Sequence, residues 1–111
     1  LVGLLGLFSR RRSPRPPAAQ LVIGNKRFPL SEPLRLGRAS WYRLTGKSVP
    51  DLAEDHAEIF RAPDGMWEVR LVEGEHMFVD GWRSRHNRLR SGATVALGKS
   101  QQVVFQFVLQ N

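Results

Sequence analysis

From residue 21 onward, apolar positions alternate with polar ones or gather in runs of three to five, and Gly, Pro, Asn and Asp break them at short intervals. Leu21, Val22 and Ile23 form an apolar run, Gly24-Asn25 reads as a turn, and residues 26–30 resume as a strand that Ser31-Glu32-Pro33 ends. Leu34 and Leu36 flank Arg35, which gives one buried face and one wet face. Residues 57–61 form the next strand, and Pro63-Asp64-Gly65 a tight turn. Trp67, Val69 and Leu71 then alternate with Glu68 and Arg70, so residues 57–71 read as a hairpin. Residues 77–79 make a brief strand before the Asp80-Gly81 turn, and residues 94–97 another after Ser91-Gly92. Val103, Phe105, Phe107 and Leu109 share one face of the last strand. No stretch of residues 21–111 keeps a 3.6-residue period for three turns, and no internal repeat is present. Short strands with regular turn signals predict an all-β, antiparallel sandwich or small barrel.

Between the strands at Leu36 and Ala57 lies a polar stretch with neither period, expected to be a loop. It carries Arg38, Ser40, Arg43, Thr45, Lys47 and Ser48, all cations or hydroxyl donors. Long polar loops on a rigid β scaffold are where binding residues usually sit. Trp41 and Tyr42 interrupt it; one is expected to anchor the loop and the other to face a partner.

The first eight residues, LVGLLGLF, are apolar and precede SRRRSPR. Eight residues cannot cross a bilayer, which takes roughly 20. A secretory signal would put its charges first. An apolar end followed by clustered Arg is how a membrane helix finishes on the cytoplasmic side. The chain opens without Met, as expected of a piece of something longer. Residues 13–20, SPRPPAAQ, read as an extended, semi-rigid linker. The expected organisation is thus the end of a transmembrane helix with a basic, Pro-rich linker over residues 1–20, and one β domain over residues 21–111.

Composition narrows the chemistry. With no Cys there is no disulfide framework, thiol nucleophile or zinc–thiolate site. The net charge is +7, but Arg10, Arg11, Arg12 and Arg15 supply four of those charges, leaving +3 for residues 21–111. The body is only mildly basic, so nucleic acid is not the expected partner. Trp82 with Arg83, Arg85, Arg88 and Arg90 could form a basic-aromatic patch for acidic lipid or nucleic acid, although a solvated loop is the simpler reading. No nucleophile elbow or Gly-rich phosphate loop occurs. Asp51, Glu54, Asp55 and Glu58 are close enough for a carboxylate pair, but acids at a loop-to-strand join are more often solvated. No catalytic residues, cofactor or metal site are expected, His56 having no second ligand at metal spacing.

The order of features over residues 21–109 resembles the forkhead-associated (FHA) domain. Leu36-Gly37-Arg38 is similar to that family's Gly-Arg, and Ala53-Glu54-Asp55-His56-Ala57 to its Ser, two variable residues, His and Ala. The span from Glu73 to Gly81, EGEHMFVDG, is similar to its Ser-Thr-Asn-Gly-Thr followed by an aromatic, Val, Asn and Gly. Residues 89–98 look like its late loop and strand. The resemblance implies a two-sheet antiparallel β-sandwich that binds phosphothreonine peptides through the loops at one end. It implies a structural role for Gly37, His56 and Gly81, with His56 bonding across the loops, and a phosphate or peptide contact for Arg38.

The ligand positions depart from the family's pattern. Ala53 replaces the Ser hydroxyl that reaches the phosphate, and Glu75 replaces the Asn that holds the peptide backbone. Glu54 and Asp55 add negative charge where a phosphate of about −1.5 to −2 would sit. The resemblance therefore implies a non-catalytic protein-interaction module, on the cytoplasmic face of a membrane, with lost or altered phosphothreonine recognition. Its partner would dock on Arg38, Ser40, Arg43, Thr45, Lys47, Ala53, Glu54 and Glu75. One alternative is a true phosphopeptide binder in which Arg38, Ser40, Arg43 and Lys47 substitute for the missing donors. Another is an electrostatic binder of anionic lipid or nucleic acid through Arg10–Arg15 and Arg83–Arg90.

Overall fold

The computed structural model describes residues 18–31 and 33–110. Residues 1–17, and with them the expected membrane-helix end and the four arginines of the tail, lie outside the described residues. Ten strands and one helix follow: β1 (Ala18–Ile23), β2 (Lys26–Leu30), β3 (Leu34–Leu36), α1 (Arg38–Thr45), β4 (Ala57–Arg61), β5 (Trp67–Leu71), β6 (Met77–Val79), β7 (Trp82–Arg83), β8 (His86–Arg88), β9 (Thr94–Leu97) and β10 (Val103–Gln110).

The strands form two antiparallel sheets, one ordered β2-β1-β10-β9-β6-β7 and the other β3-β4-β5-β8. The alternation legible in the sequence becomes the inward faces. Leu21, Val95, Leu97, Met77, Phe105 and Phe107 come from the first sheet, and Leu36, Ile59, Val69 and Trp67 from the second. The rings of Trp67 and Phe107 pack with centroids 6.1 Å apart. A fully buried side chain of this kind contributes about 1.5–3 kcal/mol.

Three stretches differ from expectation. The polar stretch after Gly37 is not a loop throughout: Arg38–Thr45 is helical. Two turns are too few to show a period. Yet Trp41 and Leu44, three apart, face one apolar cluster while the remaining positions stay wet. The Ser40 hydroxyl caps the start, accepting the Gly37 N–H at 2.8 Å, and Gly46 ends the helix with φ 74°, a left-handed conformation that Gly adopts without a Cβ clash. β1 begins at Ala18, inside the segment read as linker, because Ala18 pairs with β10 and Ala19 and Gln20 pair with both β10 and β2. The basic stretch at 82–90 is not a solvated loop either: β7 pairs with β6, and β8 with β5.

Among the described residues no helix is long and apolar enough to cross a membrane. The β3–β4, β5–β6 and β9–β10 connections and the β1–β2 turn all lie at one end of the sandwich. The turns around Gly65, Gly81 and Gly92 lie at the other, and so does Ala18, where the described chain begins.

Candidate functional site

Backbone contacts that only glycine permits hold the loop end together. Gly37 has extended φ of −159°, so its requirement is space and not backbone conformation. A Cβ there would run into the carbonyl of Glu54. The close approach lets the Arg38 N–H donate to the Ala53 carbonyl at 3.1 Å, and the His56 N–H to the Leu36 carbonyl at 2.9 Å.

His56 is the hub. It is 2% exposed. Its Nδ1 accepts the Ala53 N–H at 3.1 Å, and its Nε2 lies 2.9 Å from the His76 carbonyl oxygen. Both bonds together require the neutral ring with its proton on Nε2. The His56 carbonyl accepts from Val72 and Gly74, and the Gly98 N–H donates to the His76 carbonyl at 3.0 Å, which ties in a third loop. Gly74 lies flat against the imidazole, leaving no room for a Cβ.

The cleft above this hub has a volume of about 350 Å³, and Arg38, Asp51, Ala53, Glu73 and Glu75 are among the residues that line it. Arg38, half exposed, approaches Glu54 to 3.8 Å; an exposed pair of this kind is worth about 0–1 kcal/mol and leaves the guanidinium free to exchange partners. Asp51 is fixed. The Ser100 N–H and hydroxyl donate to its Oδ2 at 2.9 and 2.8 Å, and these two bonds, the backbone one first, hold its carboxyl below the usual 3.8. Arg38 thus pairs with Glu54 and shares the lining of the cleft with Asp51, Glu73 and Glu75.

Arg38, Ala53, Glu54 and Glu75 therefore meet at one site, with Gly37 and His56 beneath them. The other candidates lie elsewhere. The Ser40 hydroxyl is engaged at the helix start, donating to the Gly37 carbonyl at 3.2 Å as well as accepting its N–H. Thr45 donates to the Trp41 carbonyl at 2.8 Å and accepts the Lys47 N–H at 3.1 Å. Arg43 is exposed on α1, and Thr45 and Lys47 line a separate groove at the far end of that helix. Of the aromatic pair, Trp41 is buried and Tyr42 is 58% exposed. Gly81 is at the opposite end, where it and Asp80, with φ of 85° and 52°, form the two-residue turn joining β6 to β7.

The basic stretch is also divided. The Arg85 carbonyl accepts from Leu71 near the loop end, whereas Trp82, Arg88 and Arg90 share a depression at the other end. Arg88 pairs there with Asp64 at 3.1 Å. His86, read as a loop residue, is in β8 with Nε2 2.6 Å from Glu68 Oε1.

The loop from Glu73 to His76 was expected at the site from the resemblance, but the contact of Gly74 with the His56 ring and the Asp51–Ser100 clamp were not. The clamp partners are 49 residues apart with no local signal, and the role of Gly74 depends on a ring 18 positions earlier.

A scan against protein-family models and a search of curated proteins return no match for this sequence. Solved structures do match. The N-terminal FHA domain of S. cerevisiae Rad53p, solved with a phosphothreonine peptide, superposes with a TM-score of 0.69 at 12% identity, over 84% of this chain and 94% of that one. FHA-1 of Mycobacterium tuberculosis Rv1747 gives 0.68 at 11%, over 87% and 100%. The FHA domain of CT664 from Chlamydia trachomatis gives 0.63 at 18%, over 82% and 96%. The chain has the forkhead-associated fold. Within that FHA fold His56 lies just before β4, and residues 73–81 run through a loop, β6 and the Asp80-Gly81 turn, as expected from the sequence, whereas Arg38 opens α1 instead of a loop. At the mouth of its cleft stand a methyl group at Ala53 and a carboxylate at Glu75.

Proposed function

We propose that this FHA-fold domain is a non-catalytic protein-interaction module that docks a partner peptide across its loop end, by recognition that does not depend on phosphothreonine. The observation that carries the reading is the lining of the Arg38 cleft: one guanidinium, no hydroxyl from Ala53, and the carboxylates of Glu73 and Glu75. Charge-assisted hydrogen bonds to a dianion are the strong ones, and carboxylates a few ångströms away oppose it. Such a rim suits a neutral or cationic peptide group better than a phosphate. The test is calorimetric titration with phosphothreonine peptides and their unphosphorylated counterparts. Comparable affinities support the reading, and micromolar binding confined to the phosphorylated forms overturns it.

A second reading, direct phosphopeptide binding through Arg38, draws support from FHA-fold structures solved with phosphothreonine peptides. It requires that Arg38→Ala abolish the binding.

The domain's setting is part of the proposal. The apolar-then-basic order of residues 1–15 supports attachment at the cytoplasmic face of a membrane. Ala18 lies beside Gln110, at the end of the sandwich away from the cleft. A domain tethered there would hold its loops outward, toward a partner in solution.

A further inference from the structure

The groove at the far end of α1 has no role in the reading above. It is the larger cavity, about 540 Å³, and lies between α1, the β1–β2 hairpin and the start of β10. Its apolar wall includes Ile23, Phe28, Leu44 and Val104, and among the described residues Lys26 and Lys47 are the only charged ones lining it. Val104 is 45% exposed, a large apolar side chain left facing water on an eight-residue strand. A third depression lies between the groove and the Arg38 cleft. Gln102 lines both the groove and a shallow depression that includes Lys99 and Ser100, and that depression shares Pro50 and Asp51 with the cleft. The three depressions thus neighbour one another across the loop end, apolar and cationic on one side and acidic on the other.

We infer that the groove docks an acidic, apolar peptide segment of the partner, one bulky side chain inserting between Phe28 and Leu44 while flanking carboxylates meet Lys26 and Lys47. The charge asymmetry sets this chemistry: cations flank the apolar wall, and among the described residues no carboxylate lines it. A peptide can also span such a row of neighbouring depressions, which a single lipid chain in one groove would not do. β2 is an edge strand as well, so backbone N–H and C=O groups on its free side can pair with an extended segment as far as Pro29. The inference rests on the reading of the domain as a protein-interaction module and adds the composition of the peptide it takes.

The experiment is a selection of unphosphorylated peptides from a random dodecapeptide display library on the folded protein, followed by fluorescence anisotropy of the enriched sequences. Enriched peptides should carry a bulky apolar residue within two positions of at least two Asp or Glu. The charge-reversed double variant K26E/K47E should weaken them about tenfold or more, as should Phe28→Ala. Lys26 and Lys47 are exposed, so the double variant should melt as the parent does, and thermal unfolding of each variant checks this. Peptides without acids, or with affinities indifferent to both variants, overturn the inference. Peptides lost on Arg38→Ala but kept by the groove variants overturn the groove while leaving the interaction module standing. Failure to enrich any peptide overturns both, and one-to-one oleate binding that K26E/K47E abolishes would replace the peptide with a lipid.

Discussion

Removing the His56 ring should loosen the whole loop end. His56→Ala deletes two hydrogen bonds, from the Ala53 N–H and to the His76 carbonyl, and leaves a hole under Gly74. Each lost bond contributes about 0.5–1.5 kcal/mol, and a buried group left without a partner costs about 1–3 kcal/mol. Water entering from the open cleft re-solvates part of what is freed, so about 3 kcal/mol is expected in total. In a domain of this size each kcal/mol moves Tm by about 4–8 °C, giving a drop of roughly 12–24 °C in a thermal melt followed by circular dichroism. The coupling with Gly74 makes the test specific. Gly74→Ala pushes a methyl group into the imidazole, so it should be costly with His56 present and nearly free in the His56→Ala background. The double-mutant cycle should return a coupling of about 1–3 kcal/mol. A loss below about 1 kcal/mol for His56→Ala, or additivity in the cycle, would refute the assignment of His56 as the hub.

Two further outcomes rest on contacts at the loop end and a third on the basic tail. Gly37→Ala places a methyl group on the Glu54 carbonyl, so it should cost about 2 kcal/mol or more by urea unfolding and abolish whatever binding Arg38 supports; a neutral effect would contradict the close approach. Asp51 has its folded-state pKa lowered by Ser100, so its contribution is present above the ordinary value of 3.8 and fades as pH falls through the lower folded value. Asp51→Asn should therefore be less stable than the parent at neutral pH, and the gap should close in melts below that value; a gap that widens in acid would reverse the sign and discard the clamp. Replacing Arg10, Arg11, Arg12 and Arg15 with Ser should weaken binding to vesicles containing anionic lipid by about 1 kcal/mol per residue; unchanged, salt-insensitive binding would remove the membrane-facing tail from the proposal.

The strands were legible because burial on one face imposes a two-residue period, which the sequence displays from Leu34 to Leu36, Trp67 to Leu71 and Val103 to Leu109. The helix was not, since two turns give only Trp41 and Leu44 on the apolar side. Its one local mark was the pair of glycines, Gly37 and Gly46, that bracket it. Ala18-Ala19-Gln20 has little strand preference of its own and is a strand because both neighbours pair with it. At the site, the reading by resemblance to the FHA pattern singled out Arg38, Ala53, Glu54 and Glu75, which the loops bring together. The reading as a loop misassigned the surroundings. Ser40 and Thr45 look like free hydroxyl donors in a loop, but the helix uses both. Contacts such as Asp51 to Ser100 come from the packing of separate loops, which leaves no trace in either segment.

The most direct measurement compares phosphorylated and unphosphorylated peptide affinity in the parent and in the double variant Ala53→Ser/Glu75→Asn. The variant supplies a hydroxyl and an amide where the cleft now has a methyl group and a carboxylate. A hydrogen bond to a charged group contributes about 1.5–3 kcal/mol, so the preference for phosphothreonine should rise by about 10- to 150-fold from a parent ratio near one. A parent that already selects the phosphate, or a variant that gains nothing, would contradict the claim that this FHA scaffold is intact and only its rim has changed.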